Sequence, residues 1–145
     1  MQIVRAASFA FALAACAAQG ASALKTDAIE PTGLTTQQAQ QVLMIVLEQE
    51  RFPVAQEGFF VEALSPSEPG YQDFGVTFET PKAAATTVLG AFAVSRMTGD
   101  VWESNLCKRY DFPELQALQA KIMARTGKTF SSESHERRGL GCTDE

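Results

Sequence analysis

The stretch "LTTQQAQQVLMIVLEQERFP" places Ala39, Val42, Leu43, Val46 and Leu47 at helical spacing, one apolar stripe on an otherwise polar segment. Thr35 stands where an N-cap is needed, with Gln38 three residues on to complete a capping box. The pattern predicts an amphipathic helix that ends before Pro53. Met44 and Ile45 widen its apolar face, which suits a helix laid across a sheet better than the narrow seam of a coiled coil.

Beyond Pro53 the period changes from 3.6 to 2. "GFFVEALS" reads as a short apolar strand, and the turn-rich "SPSEPG" separates it from "YQDFGVTFET". In that second strand Phe74, Val76 and Phe78 alternate with Asp73, Gly75, Thr77 and Glu79, so one face is predicted wet. "TTVLGAFAVSR" is a third strand in which Val88, Gly90, Phe92 and Val94 are expected on one face. The preceding "KAAA" also suits a helix, which leaves residues 83–90 open to either form. "MTGD" turns the chain into "VWES", and Gly99 supplies the positive φ of a tight hairpin, so strands three and four are expected to pair antiparallel.

After Cys107, "YDFPELQALQAKIMARTGK" offers Asp111 as an N-cap, Pro113 in the first turn, and Leu115, Leu118 and Ile122 on one face, with Gly127 as the stop. The rest of the chain is polar apart from Phe130 and Leu140 and needs a tether to stay in place. The order is N-terminal helix, a three- to four-stranded antiparallel meander, C-terminal helix. That is an α+β fold with helices over one face of a sheet.

The first residues carry a different signal. Residues 6–18 are all small or apolar and follow Arg5, which is the order of a secretory signal peptide. At thirteen residues the run is shorter than the ~20 a membrane-spanning helix needs. Two processing sites compete: Ala21-Ser22-Ala23 ahead of Leu24, and a lipobox, Leu13-Ala14-Ala15-Cys16, that would put a lipid on Cys16. The expected organisation is a signal peptide over residues 1–23 (1–15 if Cys16 is lipidated), a linker or arm over 24–34, and one domain over 35–145. Export implies a periplasmic or secreted protein, or a lipoprotein held at the membrane through Cys16.

Charge then narrows the partners. Removing residues 1–23 leaves 122 residues and takes away only Arg5, so the formal net charge moves from -5 to -6. An acidic domain without clustered Lys and Arg does not suit nucleic acid. In an oxidising compartment Cys107 and Cys142 are expected to form a disulfide, which would hold the polar C-terminal segment.

No catalytic constellation is visible. His135, the single histidine, lies in "SSESHERR" with no triad or metal spacing around it, and one histidine with two bridged cysteines is too few for zinc. Carboxylate pairs such as Glu57 with Glu62, or Asp100 with Glu103, are of a kind that any acidic protein offers. The expectation is a non-catalytic protein without cofactor or metal that binds or inhibits another envelope protein. The alternatives are an immunity-type inhibitor of an envelope-attacking enzyme and, in a different class, a small envelope hydrolase. Trp102, the only tryptophan, reads either as core or, with Asp100 beside the hairpin turn, as a contact for the partner.

One resemblance completes the reading. "LTTQQAQQVL" opening a helix, followed by "FAVSRMTGDVW", resembles the PepSY-type modules of secreted bacterial proteins over residues 34–102. It implies an α-β-β-β module without catalytic residues that binds or inhibits proteins such as peptidases. The long spacer from Pro53 to Val88 and the bridged C-terminal segment lie outside that pattern.

Overall fold

The computed structural model describes residues 24–142; the expected processing region, with Cys16, lies outside them. Helix α1 (Thr36–Gln49) opens with the full capping box. The Thr35 side chain accepts from the Gln38 amide at 3.2 Å, and the Gln38 side chain accepts from the Thr35 amide at 2.9 Å. The predicted stripe, Ala39, Val42, Leu43, Val46 and Leu47, is buried.

Five strands follow as an antiparallel meander in chain order: β1 (Phe59–Leu64), β2 (Tyr71–Thr80), β3 (Ala85–Ser95), β4 (Val101–Glu103) and β5 (Lys108–Arg109). The sheet has one strand more than the upper expectation. Only two residues long, β5 carries too little pattern to be read from sequence. Residues 83–90 resolve into a 3-10 turn, Pro81–Ala83, leading into β3.

Phe74, Val76, Phe92, Val94 and Val101 face α1 and form the main core with it. Helix α2 (Pro113–Thr126) packs beside α1, burying Leu115, Gln119 and Ile122, and ends at Gly127 with φ 71°. Its N-cap is Phe112, not Asp111; the Asp111 carboxylate instead accepts from the Gln116 side chain. A third helix, α3 (Ser134–Gly139), forms in the polar segment expected to need a tether. The arm before α1 has little regular structure yet buries Ile29 and Leu34 in the main core. Gly33, at φ 103°, lets that arm pass close to strand β3, since a Cβ there would lie 2.7 Å from the Arg96 carbonyl oxygen.

A register shift between Val76 and Thr77 corrects one expectation. Val76 pairs with Gly90 but Thr77 pairs with Val88, so Leu89 is the extra residue of a β-bulge. Val88 therefore leaves the face of Phe92 and Val94 and stands 71% exposed on the other side of the sheet.

Candidate functional site

The side of the sheet away from α1 divides into two halves. One half is covered by the C-terminal segment, where Tyr71, Ala93, Trp102 and Cys142 form a second buried cluster with Leu140 packed on it. The Cys107–Cys142 disulfide ties this segment to the turn between β4 and β5, as expected.

Beneath the segment lies a buried polar network. The Asp100 carboxylate, fully buried, accepts from Trp102 Nε1 at 2.9 Å and from Arg109 Nε at 2.7 Å, with Arg137 Nε 3.8 Å away. Glu133 sits below the hairpin turn, where Thr98 donates to it at 2.7 Å and the Ser95 hydroxyl lies 2.8 Å from both its oxygens. The same Ser95 oxygen accepts from the amides of Met97 and Thr98, so the turn and the C-terminal segment are held by one set of side chains. Burial pushes the Glu133 carboxyl above the usual carboxylate range. The hydroxyls of Thr98 and Ser95 pull the other way, and Asp100 and Glu136 push it further up. Burial also raises the Tyr71 phenol, reinforced by Asp100 and Glu133. Arg109 completes the seam by lying 4.6 Å over the Phe130 ring.

Trp102 and Asp100 are thus internal. Trp102 is 3% exposed and Asp100 fully buried. The pairing of Asp100 with Glu103 is split by the sheet: Asp100 lies with Trp102 and Arg109, while Glu103 faces the other side and accepts from the Tyr110 hydroxyl at 2.8 Å. His135 is exposed on α3. Among the described residues no group of His, Cys, Asp or Glu is placed to hold a metal ion, and no helix is long and apolar enough to cross a membrane.

The other half of this side is open. Phe60, Glu62 and Leu64 of β1 stand across from Thr77, Gly75 and Asp73 of β2, and Val88 and Ala91 continue the rows on β3. Phe60 is 50% exposed and Leu64 43%, which is unusual for side chains of this size grouped on one face. Sequence alone missed this surface because strict alternation assigns Val88 to the core.

Residues 33–134 match the model of a family described as T6SS, Immunity protein Tgi2PP. The chain belongs to that family. The matched region runs from the residue before Leu34, through the helix, sheet and second helix, to the start of α3. Among solved structures, one chain of a type VI secretion system effector-immunity complex from Pseudomonas protegens is similar at 44% identity and a TM-score of 0.80. The alignment covers 84% of this chain and all of that one. No curated protein matches. Membership of an immunity family identifies the chain as a non-catalytic inhibitor that works by binding another protein.

The same match overturns the PepSY resemblance. A capped helix and a Thr-Gly-Asp hairpin turn are local solutions that many folds share. The spacer that the PepSY pattern leaves out lies within the Tgi2PP match, which runs on past Cys107 and through α2 to the start of α3.

Proposed function

We propose that this Tgi2PP-family protein is exported to the bacterial envelope and there neutralises a type VI secretion effector by binding it. The match over residues 33–134 carries the reading, and the similar chain in an effector-immunity complex supports it. The apolar run behind Arg5 and the Cys107–Cys142 bridge suit a compartment in which disulfides persist.

The test is rescue. Type VI effectors of the same organism are expressed one at a time in the periplasm, with or without the chain. Survival with one effector, and a stoichiometric complex with it on gel filtration, is the expected result; no rescue from any of them rejects the proposal. Deleting residues 1–23 should abolish rescue while leaving binding intact in vitro, and intact mass then distinguishes a mature chain starting at Leu24 from one acylated on Cys16.

A further inference from the structure

The open half of the sheet has three features that its covered half lacks. It exposes large apolar side chains together: Phe60 and Leu64 on β1 and Val88 on β3. Its middle row, Glu62, Gly75 and Ala91, puts two small residues at the centre, which lets the Leu64 side chain lie flat against the strands. A Cβ added at Gly75 would meet the Leu64 side chain at 3.6 Å, which shows the Leu64 methyls leaning over that spot.

Charge is the second observation. Between Arg51 and Arg96 the chain holds a single cation, Lys82, against Glu57, Glu62, Glu68, Asp73 and Glu79. Glu62 and Glu79 fall on the open face by strand alternation, and the Glu79 amide donates to the Gly58 carbonyl at 2.7 Å, which brings the backbone beside Glu57 to the same end of the sheet. The apolar side chains therefore have carboxylates among and beside them.

The third is the far end of the β2–β3 hairpin. Glu79 and Thr80 on one strand and Ala85 to Val88 on the other are all exposed, forming a two-stranded ribbon past the reach of α1. Such a ribbon is marginal alone, and a partner laid along one face stabilises it.

We infer that this open face, formed by Phe60, Leu64 and Val88 with Glu62 between the two β1 side chains and Glu79 at its end, is where the effector docks. The effector surface it fits carries Lys or Arg among and beside its apolar side chains. The inference rests on the effector-binding function proposed above.

The probe is the effector that co-purifies with the wild-type chain, titrated by calorimetry against folded variants whose Trp102 emission and disulfide match wild type. Phe60→Ala and Val88→Asp are each expected to weaken binding by about 30-fold or more, the scale of a central apolar anchor. Joint Glu62→Lys and Glu79→Lys should weaken binding about tenfold and reduce its dependence on salt. Lys121→Glu, in the separate groove of about 500 Å³ between α1 and α2, should leave affinity within about twofold of wild type.

Face variants that bind like wild type, or loss of binding with Lys121→Glu alone, overturn the surface and leave the proposed function standing. A wild-type dimer that Val88→Asp dissolves without changing effector affinity also overturns it, giving the face to a second copy. Failure of the wild-type chain to hold any effector removes the function and, with it, the inference.

Discussion

Replacing Cys107 and Cys142 together by serine removes the disulfide between the C-terminal segment and the β4–β5 turn, and the cost follows from the loop it closes. The two cysteines are 35 residues apart. In the chain-entropy relation a loop of that length lowers the entropy of the unfolded chain by about 13 cal/mol/K, or about 4 kcal/mol at 25 °C. Small domains have about 5–15 kcal/mol in total, so the loss is a large share. For a chain of this size it corresponds to a fall of about 15 °C in Tm. Trp102 makes the measurement simple, since it is the only tryptophan and packs in the cluster that includes Cys142. Urea unfolding of the oxidised protein and the double variant, followed by Trp102 emission, should show the variant unfolding at markedly lower denaturant. A red-shifted native baseline is also expected, as the C-terminal segment loosens over the indole. Equal stability within about 1 kcal/mol would show that contacts alone hold the segment, and the entropy argument would be refuted.

Asp100→Ala should cost about 3 kcal/mol or more, because it leaves Arg109, Arg137 and the Trp102 indole N–H without the buried carboxylate they surround; chemical denaturation measures it, and a loss under about 1 kcal/mol would mean that solvent reaches the site. Glu133→Gln is expected to change the pH dependence of stability. Because burial raises the Glu133 pKa in the folded state, wild type is favoured below the unfolded value of about 4.3 and loses that advantage as pH rises through the folded value. The gap between Glu133→Gln and wild type should therefore move in the variant's favour with rising pH in Tm scans, and a pH-independent gap would count against it. Gly99→Ala should lower Tm by several degrees, since φ is 71° there and the new Cβ would lie 2.6 Å from the Ile122 side chain; an unchanged Tm would mean that α2 shifts freely.

Local patterns with a single solution were legible in the sequence. The α1 stripe, the alternation in β2, the turn at Gly99 and the stop at Gly127 depend on residues a few positions apart, and each stands where its spacing places it. What escaped depended on distant partners. The burial of Ile29 comes from packing against elements far along the chain. Helix α3 forms in a polar segment through Glu133 reaching Ser95 and Thr98 and through Cys142 reaching Cys107, none of which leaves a periodic trace. The bulge at Leu89 had the largest effect on the candidate site: one inserted residue reverses the side on which Val88 stands, and no alternation rule announces where an insertion falls. For Trp102 the sequence leaves both outcomes open, because composition alone does not say which side of a hairpin a later segment will cover.

The strand order β1-β2-β3-β4-β5 bears on how the chain reaches its native state. Every strand pairs with its predecessor, so each pairing closes only a short loop and the sheet grows by adding hairpins in the order of synthesis. The costly long-range steps are those that fasten the ends: Leu34 to Arg96, and Glu133 and Cys142 to the turns they cover. Oxidation is therefore expected late, once the sheet exists, as a lock on a finished meander rather than a guide to its assembly. A chain made without an oxidant is then expected to build the five strands and both long helices with a looser clasp over Trp102.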